Sequence, residues 1–147
     1  PILPQDEQAL RSDERVHLTG WCSDVPLYLA ATDVVVMPSY REGFGVTNIE
    51  AAAMGLPVVS TLIPGCVDSV ENGVTGTLVP VRDVDALTRA LEAYLNDSKL
   101  RAKHGQAGRA RVLRDFRPTD IWAGLLTEYT AMLQAKIDYP RSGRPSD

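Results

Sequence analysis

The sequence has little cysteine, no excess of basic residues and no long apolar run. Its two cysteines, Cys22 and Cys66, form neither a metal-binding motif nor a disulfide framework, so we expect reduced thiols. The formal net charge of -4 argues against a nucleic-acid-binding protein, which would usually carry a basic stripe. Because no run of about 18 apolar residues occurs, the sequence predicts no transmembrane helix.

Signals for export and for nucleotide triphosphate binding are also missing. Residues 1–15 lack the apolar segment of a signal peptide, and we therefore predict a cytoplasmic protein. The P-loop pattern G-x-x-x-x-G-K-[ST] is absent. The sequence opens with Pro1 rather than methionine, so we expect it to be a piece of a longer protein.

Short apolar segments alternate with helical patterns in the first half of the chain. The pattern predicts strands at residues 16–20, 34–37, 56–60 and 76–79, and the second of these is apolar throughout, as expected of a parallel strand covered on both faces. Such alternation is typical of βαβ units and a parallel sheet. The predicted fold class is therefore α/β, a Rossmann-like parallel sheet of about four strands flanked by helices.

The C-terminal third is predicted to be helical. Asp83 and Ser98 are expected to cap two helices, and an amphipathic helix is expected over residues 120–135. Gly105 and Gly108 should weaken the second of these helices by about 1 kcal/mol each relative to alanine. We predict one domain over residues 1–136 and a disordered tail over residues 137–147.

Two further features have structural interpretations. His17 lies in a predicted strand without any partner motif, so it is interpreted as a structural histidine. Residues 99–117 contain seven basic residues against one aspartate, which predicts a solvated helix face. Peripheral contact with a membrane surface is the alternative, although few bulky apolar residues are present there to insert.

The clearest chemical pattern is the stretch S-Y-R-E-G-F-G-V-T-N-I-E at residues 39–50. Gly43 and Gly45 permit close approach of the backbone to a ligand. The helix predicted from Val46 offers free N–H groups and the positive end of its dipole, which suits a phosphate. Glu42 and Glu50 would instead accept hydrogen bonds from sugar hydroxyls. The pattern therefore predicts a sugar–phosphate site.

Two other interpretations of this stretch can be weighed. A dinucleotide-binding fingerprint G-x-G-x-x-G would need glycine where Asn48 stands, and the loop from Met37 to Gly43 is too long for its tight turn. Alternatively, the glycines only form a turn and the glutamates are solvated, because a single glycine loop is a weak signal.

The sequence around this stretch closely resembles the C-terminal domain of family-4 glycosyltransferases, which are retaining enzymes of the GT-B fold. It reads P-S-Y-R-E-G-F-G-V-T-N-I-E-A-A-A-M-G-L-P-V-V-S-T. Downstream, I-P-G-C at residues 63–66 and N-G-V-T-G at residues 72–76 agree with the family in order. The resemblance covers about residues 14–135. The I-P-G-C variant looks like transferases that build bacterial surface polysaccharides or lipid-linked glycans.

The resemblance implies roles for individual residues. Glu42 is similar to the glutamate that contacts the hydroxyls of the donor sugar and is the catalytic candidate, whereas Glu50 is similar to the glutamate that binds the ribose diol. Gly20 and Trp21 lie where the family lines its nucleobase pocket. The other donor-binding positions implied are Gly43, Phe44, Gly45, Val46, Thr47 and Asn48.

The resemblance also implies partners. The chain would be the donor-binding half of a GT-B enzyme whose N-terminal acceptor-binding domain is missing, so the chain alone should be inactive. The substrate would be a nucleotide-diphosphate sugar, with a UDP-sugar expected, and neither a cofactor nor a metal is expected. No basic residue is assigned to the diphosphate; Arg41 is interpreted as a structural partner of the loop. The enzyme would act in the cytoplasm, with peripheral contact at the cytoplasmic face of the inner membrane.

Two different functions remain open at this level. The chain could be a non-catalytic Rossmann-like module that binds a nucleotide sugar or a partner protein. An epimerase of related two-domain architecture is the other candidate, although it would need a different pattern of carboxylates.

Overall fold

A computed structural model of the protein describes residues 3–138 and divides the chain into two compact units, with the boundary in the sequence between Ala31 and Thr32. The first unit contains α1 (Pro4–Ser12) and α2 (Val25–Ala30). Asp24 caps α2, because its Oδ1 accepts the N–H of Leu27 at 3.3 Å. The predicted domain over residues 1–136 stays a prediction.

The strand predicted at residues 16–20 is not formed, so the predicted count of about four strands is wrong by one. In the described residues the sheet has three strands. The chain turns instead at Asp13, whose carboxylate accepts the N–H of Arg15 at 3.0 Å and whose carbonyl accepts the N–H of Val16 at 2.9 Å. The residues after this turn make no ladder hydrogen bonds, and Leu18 is half exposed. Local turn chemistry therefore prevails over strand propensity here.

The second unit contains the parallel sheet, formed by β1 (Val35–Met37), β2 (Val58–Thr61) and β3 (Gly76–Val79) in the order β1-β2-β3. Val36 of β1 lies beside Val59 of β2, which lies beside Thr77 of β3. The central strand β2 is buried at every position. The prediction of full burial for residues 34–37 is wrong, since Val36 in the edge strand β1 is 38% exposed.

Five helices surround this sheet or follow it: α3 (Val46–Ala53), α4 (Cys66–Ser69), α5 (Val84–Asn96), α6 (Ser98–Asp115) and α7 (Pro118–Asp138). Asp83 caps α5 as predicted, with its Oδ1 accepting the N–H of Ala86 at 2.8 Å. The cap of α6 is Asp97 rather than the predicted Ser98. Residues 137 and 138 are helical rather than part of a disordered tail, and the rest of the predicted tail, residues 139–147, lies outside the described residues.

Successive residues of β2 face two clusters of buried apolar side chains. Val59 packs with Val79, Ala90 and Tyr94 on the side of α5. Val58 packs on the opposite face of the strand with residues of α3 and the segment after α4. Because side chains alternate along a strand, the central strand connects both halves of the core.

Helix α7 has an apolar stripe, but its side chains are exposed. The exposed residues of this stripe are Trp122, Leu125, Leu126, Tyr129, Met132, Leu133 and Ile137. The periodicity of the sequence predicted the helix correctly. No helix within residues 3–138 combines the length and apolar character needed to cross a membrane.

Three arginines of α6 contact other helices. The prediction of a simple solvated face is wrong for Arg101 and Arg111, which are half-buried, whereas Arg109 is exposed. Their guanidinium groups donate to carbonyl groups at the C-terminal ends of three other helices, where backbone acceptors lack helical partners. The contacts are Arg101 with Tyr94 (2.5 Å) and Leu95 (3.2 Å) in α5, Arg109 with Ala53 (2.5 Å) in α3, and Arg111 with Asp68 (2.8 Å) and Ser69 (3.0 Å) in α4. Helix α6 thus caps its neighbours.

A buried hydrogen-bonded chain links β3, α5 and α6. The hydroxyl of Tyr94 lies 3.0 Å from Thr77 Oγ1 and 2.7 Å from His104 Nδ1. Tyr94 is fully buried and His104 is 5% exposed. Burial lowers the pKa of His104 from its usual value, and the positive charge of Lys103 lowers it further. Folding therefore favours the neutral imidazole.

Acid is expected to destabilise the protein through His104. Below the usual histidine pKa of about 6.5, the unfolded chain binds a proton that folded His104 excludes, so the free energy of unfolding should fall as the pH falls. The slope from this one proton is at most about 1.4 kcal/mol per pH unit. Urea unfolding between about pH 7.5 and 5.5 measures it. His104→Gln should make the free energy of unfolding depend less on pH, whereas the control His17→Gln, at an exposed position, should leave that dependence unchanged. An unchanged slope in His104→Gln would contradict the role of His104.

Candidate functional site

The stretch 39–50 lies at the carboxyl end of β1, where the chain leaves the sheet and enters α3. In open parallel sheets, ligands bind outside the carboxyl ends of the strands. Pro38 follows the last residue of β1, and residues 38–45 form the loop before the helix. The fold therefore puts the predicted sugar–phosphate stretch at the edge where such sites occur.

Glu42 is held within its own loop by Ser39, which is in turn held by the end of β2. Its side chain is half-buried, and its Oε1 accepts a hydrogen bond from Ser39 Oγ at 2.7 Å. The carbonyl of Ser39 in turn accepts a hydrogen bond from Thr61 Oγ1 at the end of β2. Neither Ser39 nor Thr61 was predicted as a site residue, although a hydroxyl three positions before a carboxylate is a local signal for such a contact. The carboxylate of Glu42 is thus oriented before any ligand binds.

The two glycines of the loop have different roles. Gly45 has a φ of +62° and stands at the N-cap of α3, and a Cβ there would lie 2.8 Å from Ser69 Oγ and 2.9 Å from Asn48 Nδ2. Gly43 is exposed, and a Cβ there would meet nothing within 4 Å. Gly45 is therefore needed for the turn and for close packing, while Gly43 leaves the surface of the loop open.

The start of α3 is open to a ligand. No side chain caps this helix end. Val46 and Thr47 in its first turn are exposed, and Glu50 lies on the same exposed face one turn later. An uncapped helix start supplies N–H donors and a partial positive charge, which favour an anion. The open helix start thus lies along the chain between Glu42, in the loop before α3, and Glu50, one turn into the helix.

Asn48 differs from its neighbours because its side chain is fully buried. Its Nδ2 donates to Ser69 Oγ at 2.9 Å and approaches Ser60 Oγ at 3.4 Å, while its backbone N–H donates to the carbonyl of Gly45 at 2.9 Å. Within the described residues its Oδ1 has no hydrogen-bond partner. In this structure the buried side chain of Asn48 supports the loop, and its predicted part in donor binding stays a prediction.

The remaining predicted positions are exposed. Phe44 is 40% exposed and Trp21 is 95% exposed. Gly20 and Trp21 belong to the first unit, in the loop before α2, and Gly20 has a φ of +63°. Their predicted part in a nucleobase pocket stays a prediction.

Arg41 does not act as the predicted structural partner in this structure. It is exposed, and within residues 3–138 its side chain makes no hydrogen bond or ion pair. In the same part of the chain, no cluster of three or more His, Cys, Asp or Glu residues could hold a metal ion.

Comparison with known proteins gives similarity over most of the chain. The family model of the glycosyl transferases group 1 matches residues 5–111. The chain is 37% identical over 133 residues to the capsular polysaccharide biosynthesis glycosyltransferase CapM of Staphylococcus aureus, a match that covers 90% of this chain and 35% of CapM. The chain thus spans about a third of the length of that relative.

Solved structures show the same similarity. Sucrose-phosphate synthase from Thermosynechococcus elongatus superimposes with a TM-score of 0.83 at 32% identity, covering 89% of this chain and 34% of that one. Anabaena Alr3699/HepE, solved in complex with UDP-glucose, superimposes with a TM-score of 0.81 at 26% identity, covering 86% and 35%.

These similarities confirm the predicted fold class, a Rossmann-like parallel sheet flanked by helices with a helical C-terminal part, here with three strands. They also confirm the resemblance on which the roles of residues 42–50 were based. The family model spans well over half of the 147 residues. The chain therefore belongs to the group 1 glycosyl transferases, a family of the GT-B type.

Proposed function

We propose that this chain is the donor-binding part of a retaining glycosyltransferase. The enzyme would transfer a sugar from a nucleotide-diphosphate sugar to an acceptor in the synthesis of a bacterial surface polysaccharide or a lipid-linked glycan. The observation that carries the proposal is the carboxylate of Glu42, held by Ser39 at 2.7 Å in the loop that leads to the uncapped start of α3. The similarity to CapM supports the polysaccharide product, and that to HepE supports a UDP-sugar as donor.

The chemistry follows from which groups suit which part of the donor. The N–H groups at Val46 and Thr47 would bind the diphosphate and stabilise the negative charge that develops when it leaves. Glu42 would accept hydrogen bonds from the hydroxyls of the transferred sugar, because a carboxylate placed near a diphosphate must face a donor group. Glu50, one turn into the helix, would bind the ribose diol.

The proposal includes an acceptor-binding domain outside this chain. The chain spans about a third of the length of its relative CapM, and we propose that the acceptor side of the cleft lies in the remainder. On this proposal the isolated chain binds the donor but does not complete the reaction, and it needs no cofactor. It would work in the cytoplasm, in peripheral contact with the inner membrane where the acceptor is attached to a lipid.

Titration of UDP into the isotopically labelled chain tests the proposal by NMR. Amide signals of residues 42–50 should shift with a common saturation curve, because the diphosphate and the ribose contact that stretch. Uridine, which lacks the diphosphate, should produce much smaller shifts at the same concentration. Absence of any shift in residues 42–50 at millimolar UDP would contradict the proposed donor site.

A further inference from the structure

Phe44 is the only side chain between the two glycines of the loop, so it is the side chain by which the rest of the fold can fix the loop backbone. Its ring packs edge to face against the ring of Phe116, with 5.6 Å between the centroids and an interplanar angle of 66°. Such a geometry is attractive beyond the area that it buries. The partner lies 72 positions later in the chain, immediately after α6.

Phe116 is itself fixed in place by α6. It is the C-cap residue of that helix, and its N–H donates to the carbonyl of Val112 at 3.0 Å. The guanidinium of Arg111 lies over its ring at 5.3 Å from the centroid. The same guanidinium is held by the carbonyls of Asp68 and Ser69 at the end of α4, at 2.8 and 3.0 Å. The ring of Phe116 therefore has little freedom to move.

The loop is also supported from the side of α4. A Cβ on Gly65, just before α4, would lie 2.7 Å from the carbonyl oxygens of Glu42 and Gly43, so the two backbone segments are in close contact. Ser69 at the end of α4 accepts the hydrogen bond from Asn48 beneath the loop. Arg111 thus contacts both supports of the loop. It donates to the carbonyls of α4, and it lies over the ring of Phe116, which packs on Phe44.

From these contacts we propose that Phe116 is a positioning residue for the donor site, acting through the ring of Phe44 on the backbone of Gly43–Gly45. Phe116 need not touch the ligand. The edge-to-face contact fixes the loop backbone just before the open start of α3, and Arg111 fixes Phe116 in turn. This inference rests on the proposed donor-binding function, and it adds a residue outside the stretch 39–50 to the parts that determine affinity.

Calorimetric titration of UDP into four proteins tests the proposal: wild type, Phe116→Leu, Phe44→Leu and the double variant. Phe116→Leu should weaken UDP binding about threefold to tenfold, the scale of an edge-to-face aromatic contact. Because Phe116 acts through Phe44, it should cause no further loss when Phe44 is already leucine. Phe116→Tyr keeps an aromatic ring and should bind UDP within about twofold of wild type.

Leu113→Ala is the matched control, because Leu113 lies in the last turn of α6, just before Phe116, and is 57% exposed. It should leave UDP affinity unchanged. Unchanged affinity in Phe116→Leu, or losses from Phe44 and Phe116 that multiply in the double variant, would overturn the positioning role. Amide shifts of Gly43, Phe44 and Gly45 in the ligand-free Phe116→Leu protein give an independent reading: they should move in this variant and not in Leu113→Ala. If wild type binds no UDP, the proposed function fails, while these shifts still decide whether Phe116 positions the loop.

Discussion

Gly105→Ala is expected to destabilise the protein by about 3 kcal/mol or more, the upper range of overpacking a close contact. In an isolated helix the same change would stabilise by about 1 kcal/mol. The sign reverses because a Cβ on Gly105 would overlap the carbonyl oxygen of Gly55, at the point where α6 crosses the end of α3. The carbonyl oxygen of Gly55 belongs to the backbone and cannot rotate away, so α6 and α3 would have to separate. Urea unfolding monitored by circular dichroism measures the change.

Gly124→Ala in α7 is the matched control for this prediction. A Cβ on Gly124 meets nothing within 4 Å, so only the helix propensity changes. That substitution should stabilise α7 by up to about 1 kcal/mol. If both alanine variants raised the free energy of unfolding, the close packing of α6 on α3 would be contradicted.

Local signals explain which parts of the fold could be predicted from the sequence. The cap at Asp83 acts within a few residues of its own position, and the structure has it as predicted. Predictions from the sequence failed where contacts between residues far apart in the chain determine how a side chain packs. Gly105 seemed only to weaken its helix, whereas it permits the approach of α3, and Arg111 seemed solvated, whereas it binds the end of α4.

The same distinction applies to the candidate site. Glu42, Gly45 and Glu50 could be singled out because the pattern of one short stretch contains them all. The burial of Asn48 could not be predicted, since it depends on Ser60 and Ser69 in elements that only the tertiary fold brings beneath the loop. Phe116 was missed for the same reason: no pattern in the sequence connects it to Phe44.

In the complete enzyme, Glu42→Gln is expected to reduce kcat by about a hundredfold or more, the scale of removing one preorganised group that stabilises a transition state. The amide keeps the size of the side chain and its contact with Ser39, but lacks the charge that would strengthen the proposed bonds to the sugar hydroxyls. On the proposed donor site, Glu50→Gln should instead raise KM for the donor with a smaller change in kcat, because the ribose would be bound equally in the ground and transition states. Steady-state kinetics with a UDP-sugar compares both variants.

Thermal unfolding is the control that separates a loss of catalysis from a loss of folding in that experiment. Thermal unfolding of both variants should match wild type, because the Glu50 side chain is exposed and glutamine preserves the hydrogen bond of Glu42 from Ser39. Full activity in both variants would contradict the assignment of the carboxylates to the donor.

The dissociation constant of UDP for this chain tests the central claim most directly, because UDP contains the ribose and the diphosphate but no transferred sugar. Measured by calorimetry on wild type, Glu42→Gln and Glu50→Gln, it should increase about tenfold for Glu50→Gln, the scale of a charge-assisted contact to a diol. For Glu42→Gln it should stay within about twofold of wild type. Equal weakening by both substitutions, or an unchanged constant for Glu50→Gln, would contradict the division of the donor between these two carboxylates.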